Sequence, residues 1–190
     1  MKFIYLLLSI FISSLAFAEE DLNIMGPATV KSGKYNNISI MGPSTIKNVT
    51  AIGFTNITGN SEIYSSNFEI IEIVGPSIFK DVKYTDTSII GTAKFNNVTS
   101  KGKTKIIGLL VMNSSEGKDL EVVSEETTIN DSKIENLKVL KNNNKKDQKV
   151  IIKGKTKINN IIFESGTGVI EVYGDAQISG QVTGAIVVKK

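Results

Sequence analysis

The segment Ile40-Met41-Gly42-Pro43-Ser44-Thr45-Ile46-Lys47-Asn48 contains the pattern that decides the fold. Ile40, Ser44 and Ile46 are separated by even numbers of residues, which is the period of a β-strand and not of a helix. Gly42 permits a sharp bend, and the proline after it donates no backbone hydrogen bond, so the pair marks a corner. Asn48 favours a second turn after one short strand.

This pattern recurs along the chain, and we predict about nine repeats, most of them 16–17 residues long. The anchor positions equivalent to the corner glycine are Gly26, Gly42, Gly59, Gly75, Gly91, Gly108, Glu125, Gly154 and Gly174. The spacing lengthens to 29 residues before Gly154 and to 20 before Gly174.

Three positions around the anchor carry the same kind of residue in every repeat. Two residues before it lie Ile24, Ile40, Ile57, Ile73, Ile89, Ile106, Val123, Ile152 and Val172. Four residues after it lie Val30, Ile46, Ile63, Phe79, Phe95, Met112, Ile129, Ile158 and Ile178. Six residues after it lie the turn formers Ser32, Asn48, Ser65, Asp81, Asn97, Ser114, Asp131, Asn160 and Gly180.

A unit this short and regular is one coil of an all-β, single-stranded parallel β-helix, or β-solenoid. No coil can enclose a core alone, so each buries its Ile and Phe against the coils on either side. Nine coils at ~4.8 Å make a rod of roughly 45 Å. We expect a right-handed coil, because left-handed hexapeptide solenoids have a stricter six-residue sequence period, which this chain lacks.

The N-terminus indicates export. Lys2 precedes a nearly continuous apolar run from Phe3 to Ile12, and Ala16-Phe17-Ala18 is a typical cleavage site. We therefore predict a signal peptide at 1–18 and a solenoid domain at 19–190, located in the periplasm or at the cell surface. The apolar run is too short for a transmembrane helix, which needs ~20 residues. We expect no transmembrane segment after cleavage.

One segment breaks the repeat. Lys141–Gln148 is polar and charged, and we predict a polar loop insertion at 141–149. Loops inserted in solenoids can contain binding sites, although surface loops also tolerate inserted residues that have no function.

Residue content excludes several chemistries. The 190-residue chain has no Cys and no His, so a cysteine nucleophile, a histidine-based triad and the usual zinc sites are excluded. Gly102-Lys103-Thr104 and Gly154-Lys155-Thr156 resemble the end of a phosphate-binding loop, but both lack the glycine five residues earlier. We predict no cofactor, no metal and no catalytic residues.

Two acidic groups are the candidates for an enzyme that acts on polysaccharides. One consists of Glu164, Glu171 and Asp175, and the other of Asp119, Glu121, Glu125 and Glu126. General acid–base catalysis needs placed carboxylates with perturbed pKa values, whereas acidic residues are also common on solvated strand faces. We expect the second situation, and hence no enzyme activity.

Lysines alternate at Lys101, Lys103 and Lys105, and again at Lys153, Lys155 and Lys157. On a strand, each trio would form a basic stripe on one face, suited to an anionic glycan or lipid headgroup, or simply solvated. Nucleic acid is not an expected partner, since the formal net charge is only +3, Arg is absent and aromatic residues are few.

The run from about Leu22 to Val187 resembles the bactofilin type of polymer-forming protein. The resemblance lies in the short coils, the Ile/Val columns and the recurring glycine, as in Ile73-Val74-Gly75-Pro76-Ser77-Ile78-Phe79. It implies a right-handed β-helix that polymerises end to end without nucleotide and acts as a scaffold. The predicted signal peptide departs from that family, whose members are cytoplasmic or on the inner membrane face.

We therefore expect an exported structural or scaffold protein of the bacterial envelope that forms a homopolymer through its solenoid ends. The alternatives are an adhesin-like module that binds an envelope polysaccharide or a host surface, and a small polysaccharide-acting enzyme.

Overall fold

The computed structural model describes residues 20–143 and 147–190, so the predicted signal peptide at 1–18 lies outside the described residues. The described chain consists of β-strands and turns and contains no helix. Its strands are β1 (Glu20–Met25), β2 (Ala28–Met41), β3 (Ser44–Thr58), β4 (Ser61–Tyr64), β5 (Asn67–Val74), β6 (Ser77–Lys80), β7 (Lys83–Ile90), β8 (Ala93–Asn96), β9 (Thr99–Ser100), β10 (Lys103–Ile107), β11 (Leu110–Asn113), β12 (Glu116–Val123), β13 (Glu126–Asn130), β14 (Lys133–Val139), β15 (Lys149–Lys153), β16 (Lys157–Phe163), β17 (Gly168–Val172), β18 (Gln177–Ile178), β19 (Val182–Thr183) and β20 (Ala185–Lys189).

Each coil has three short β segments, as the coil that contains β3 shows. Residues 44–47 form what we call face A, 49–51 form face B and 54–58 form face C. All three pair in parallel with the neighbouring coils, so that Ile46 pairs with Val30 on one side and with Ile63 on the other. We call the bend between faces C and A the glycine corner, and the bend between faces A and B the asparagine corner.

The pairing of face A runs through ten coils, against the nine predicted from the anchors. Coils 1 to 10 are marked in the first inward column of face A by Ala28, Ser44, Ser61, Ser77, Ala93, Leu110, Thr127, Val150, Ile170 and Val187. The predicted all-β parallel solenoid is confirmed. The right-handed sense of the coil stays a prediction.

The core fills the inside of the coil with columns of like residues. Ile57, Ile73, Ile89 and Ile106 are nearly or fully buried, as are Ile46 and Ile63 on face A. One part of the core is aromatic: the Phe79 and Phe95 rings stack at 5.0 Å, and the edge of Tyr84 meets Phe79 at 6.0 Å. Such columns bury each large side chain against its equivalent in the next coil.

Both corners have the geometry that their residues require. At the glycine corner the φ angles lie between 110° and 146° from Gly26 to Gly108, and a Cβ on Gly42 would lie 2.4 Å from the carbonyl oxygen of Gly26. Only glycine fits such a stack. At the asparagine corner the turn residues have φ between 47° and 58°, and they are Ser32, Asn48, Ser65, Asp81, Asn97, Ser114 and Asp131.

The predicted register is wrong after the sixth coil. Ile106 pairs with Val122 and not with Val123, because Ser124 and Glu125 add a residue to that corner. Gly154 and Gly174 belong to the asparagine corner, since Ile152 pairs with Ile129. Ile158 and Ile178 consequently continue the face B column of Ile134. The long spacing of 29 residues therefore covers one coil with its insertion and, in addition, face A of the next coil.

The connection from β14 to β15 contains the predicted insertion. Face A residues Thr127 and Val150 are 23 positions apart, so this coil carries about six extra residues. Gln148 at its end is buried, and its side-chain amide donates to the carbonyl oxygens of Ser124 (3.0 Å) and Leu140 (2.8 Å). Lys149 is already the first residue of β15.

Candidate functional surfaces

The first predicted acidic group is spread over three places on the coils. Glu164 lies beyond face C, Glu171 on face A and Asp175 at the asparagine corner. Glu164 pairs with the Lys138 ammonium at 2.7 Å, and this bond holds the pKa of the Glu164 carboxyl below its ordinary value. A general acid requires a raised pKa, so the environment of Glu164 opposes that role.

The second acidic group is divided between face C (Asp119 and Glu121), the glycine corner (Glu125) and the start of face A (Glu126), and two of its members are in ion pairs. Glu121 pairs with Lys103, and Glu126 pairs with Lys149, both at 2.8 Å. Asp119 accepts a hydrogen bond from the Asn136 amide at 2.8 Å. Across residues 20–143 and 147–190, no three acidic side chains converge in a way that could hold a metal ion. Such ion pairs are ordinary for solvated strand faces.

Neither Gly-Lys-Thr segment has the geometry of a phosphate-binding loop. Thr104 faces the core, where its hydroxyl shares a hydrogen bond with the Tyr84 hydroxyl at 2.9 Å. Thr156 is also buried, and its hydroxyl donates to the Lys153 carbonyl at 2.6 Å. A phosphate loop needs this hydroxyl free to face the ligand.

The lysine trios do not form the predicted stripes. Lys103 and Lys105 share β10, but Lys101 lies on the bend before it. In the second trio, Lys153 ends β15 on face A and Lys157 begins β16 on face B. The prediction assumed one strand through each trio, whereas a corner interrupts the second. The solenoid instead aligns Lys31 with Lys47 on adjacent coils, a pairing that only the repeat length could have shown.

A shallow polar groove of about 450 Å³ lies along face C. It is bordered by a ladder of amides, in which Asn160 donates to Asn136 (3.0 Å) and Asn136 donates to Asp119. Lys103 and Lys138 line the same groove. The sequence prediction missed this ladder, although Asp119, Asn136 and Asn160 are separated by about one coil.

The two ends of the rod are uncovered in the part of the chain that the structure describes. β1 pairs only with β2, and β20 pairs only with β17, so the outer edge of each terminal strand has no partner. Val187, in an inward column, is 41% exposed. Both ends therefore present unpaired backbone groups beside apolar core residues, which is a template for further pairing.

Opposite charges occupy core columns at the two ends. Glu20 continues the face B column of Tyr35 at the N-terminal end. Lys189 continues the face A column of Val172 at the C-terminal end. In the middle of the rod these two columns are in contact, as the Phe79–Tyr84 ring pair shows.

Comparison with known proteins adds no identification: no family model, no curated protein and no solved structure matches this chain. Among the described residues, no helix is long and apolar enough to cross a bilayer.

Proposed function

We propose that this protein is an exported structural protein of the bacterial envelope, and that it assembles end to end into a filament or scaffold. The observation that carries the proposal is that, within residues 20–143 and 147–190, the outer edges of β1 and β20 are both unpaired. An unpaired strand edge accepts a strand from another chain. A head-to-tail contact between unlike ends does not close on itself, so it generates an open filament.

The charges at the ends favour a head-to-tail contact over contacts between like ends. A copy stacked on the C-terminal coil would place its β1 over β19 and the start of its β2 over β20. Its Glu20 would then stack on Ile178 and lie in the same coil turn as Lys189, in the adjacent column. Two N-terminal ends would instead oppose acidic residues, and two C-terminal ends would oppose lysines, which is unfavourable.

Electron microscopy and sedimentation velocity on the purified protein over a concentration series test this proposal. We expect filaments of uniform width whose length rises with concentration. Val187→Lys should abolish them, because it places a second charge in the uncovered core of coil 10. The matched control is Ile162→Lys on the side of the rod, where Ile162 is 43% exposed. A monomer at every concentration would contradict the proposal.

A second candidate is a binding module for an envelope or host-surface polysaccharide, favoured by the polar groove on face C. Amide and carboxylate side chains in a ladder can exchange hydrogen bonds with successive sugar hydroxyls. Asn136→Ala and Asn160→Ala should each lower binding on an array of bacterial and host polysaccharides, while Asn67→Ala on face B should not. Absence of binding to the whole array would refute this candidate.

A further inference from the structure

An apolar ridge runs along the glycine corner of the first seven coils. It is the outward column one residue before each corner, where the pairing aligns Met25, Met41, Thr58, Val74, Ile90, Ile107 and Val123. The exposed fractions of Met25, Met41 and Val74 are 85%, 57% and 51%, and that of Ile90 is 49%. Apart from Thr58 in coil 3 the ridge is apolar, and a row of exposed large apolar side chains marks an interaction surface.

A groove of about 650 Å³ accompanies the ridge on its face A side. Its floor includes the corner prolines, and its far wall is the first outward column of face A. That column is Thr29, Thr45, Glu62, Ile78, Lys94 and Val111. We call the ridge, the groove and this column together the glycine-corner strip. Over coils 1–6 the strip contains two charged residues, Glu62 in coil 3 and Lys94 in coil 5.

The positions of these two charges have two-fold symmetry about coil 4. Glu62 pairs with Ile78, and Ile78 pairs with Lys94, so the charges lie one coil on either side of Ile78 in a single column. A two-fold axis through Ile78 and perpendicular to the rod would place Glu62 of each copy opposite Lys94 of the other. The same axis places Val74 of one copy opposite Val74 of the other. It also sets the ridge of coils 1–7 antiparallel against the same ridge of the second copy.

We infer that the glycine-corner strip binds a second copy of this chain, side by side and antiparallel, about a two-fold axis at Ile78. Lys94 has no ion-pair partner among the described residues, and Glu62 accepts a hydrogen bond from the Tyr64 hydroxyl at 2.8 Å. The contact supplies both charges with an opposite charge and covers the apolar ridge. It uses the side of the rod, so it is independent of the end-to-end contact proposed above.

Charge and area restrict the occupant of the strip. A parallel copy in register would oppose Glu62 to Glu62 and Lys94 to Lys94, which is unfavourable. A membrane surface attracts clusters of lysine, whereas the strip has one acidic and one basic residue over coils 1–6, and the corner of coil 7 adds the acidic Glu125. Seven coils at ~4.8 Å and a width of about 13 Å give roughly 400 Å² for each copy, the size of a weak, concentration-dependent interface.

Charge reversal tests the symmetry directly, with sedimentation velocity as the readout. Glu62→Lys and Lys94→Glu should each weaken the dimer about tenfold or more, because each opposes like charges across the axis. The double variant should dimerise like the unaltered protein. An equimolar mixture of the two single variants should form heterodimers, in which both pairs are restored. Equal dimerisation of all four samples would overturn the proposal.

A cysteine at the axis gives a second, independent readout. The chain has no native Cys, and a residue on a two-fold axis faces its own copy. Ile78→Cys should therefore form a covalent dimer on mild oxidation, while Lys83→Cys, exposed on face B of the same coil, should remain monomeric. Because this readout is insensitive to filament ends, it separates the side-by-side contact from end-to-end assembly. Equal cross-linking of both variants would contradict the assigned axis.

The competing occupant is a lipid surface, and flotation with phosphatidylcholine vesicles tests it. We expect the protein to stay with the soluble fraction. A protein that is monomeric in sedimentation, floats with the vesicles and loses flotation in Val74→Lys would assign the strip to lipid and overturn the proposal.

Discussion

Truncation of Phe79 tests whether the aromatic part of the core stabilises the rod. The Phe79 ring is fully buried, stacked on Phe95 at 5.0 Å and in edge contact with Tyr84 at 6.0 Å. Removing a buried phenyl ring costs about 3–5 kcal/mol, since packing contacts are lost and a cavity remains. The stacking of Phe79 on Phe95 adds about 0.5–1.5 kcal/mol to the stabilisation expected from the buried area alone. Phe79→Ala should therefore lower the free energy of unfolding by about 3–5 kcal/mol.

Urea unfolding followed by circular dichroism measures this loss. The matched control is Phe54→Ala, because Phe54 is 53% exposed at the start of face C and its truncation should cost less than about 1 kcal/mol. Combining Phe79→Ala with Phe95→Ala should give less than the sum of the single effects, since both changes open one cavity. Equal losses for Phe79→Ala and Phe54→Ala would refute the inward assignment of Phe79.

Three further changes test the corners and the buried polar groups. Gly75→Ala should lower the melting temperature by several degrees in a thermal scan, because its Cβ would lie 2.3 Å from the Gly59 carbonyl oxygen at φ 140°; an unchanged melting temperature would contradict the glycine stack. Burial raises the pKa of Tyr84, so stability should be complete below about pH 10 and fall above it by up to about 1.4 kcal/mol per pH unit. Urea titrations at pH 8 and 11 should show a smaller fall for Tyr84→Phe, in which the raised pKa values of Lys138 and Lys149 still contribute, and an equal fall in the variant would refute the assignment to Tyr84. Gln148→Ala should cost about 1–3 kcal/mol in urea unfolding, because the buried carbonyl oxygen of Ser124 and the partly buried one of Leu140 lose their donor; a loss below about 0.5 kcal/mol would show that water replaces the amide.

The sequence alone was sufficient for the fold class and for most inward positions of the first six coils. Strand alternation, the corner glycines and the turn formers each predict the same coil, and every predicted turn former from Ser32 to Asp131 lies at a turn, with a positive φ. The register failed later because glycine serves two corners. Gly154 has φ 62° at the asparagine corner, where Asp131 has 47°, and in the sequence it is indistinguishable from an anchor.

The candidate surfaces were much less predictable than the fold. Pairs such as Lys103 with Glu121 and Lys149 with Glu126 bridge adjacent coils, so they depend on the lateral register and not on local spacing. The apolar ridge could have been predicted from the sequence, since Met25, Met41 and Val74 all directly precede an anchor glycine. It was missed because only inward positions were expected to be apolar.

The two proposed contacts are geometrically compatible, which constrains the assembly they would form together. In the antiparallel pair, coil 1 of one copy opposes coil 7 of the other, so coils 8–10 of each extend beyond the N-terminal coil of the partner. Both ends of each copy therefore remain accessible for head-to-tail stacking. Repeating both contacts gives two antiparallel rows, with a second two-fold axis at coil 9. Such a double filament has no polarity, because every end presents one N-terminal and one C-terminal coil. A filament whose two ends differ in electron micrographs would exclude the antiparallel pair from the assembly while leaving the end-to-end contact intact.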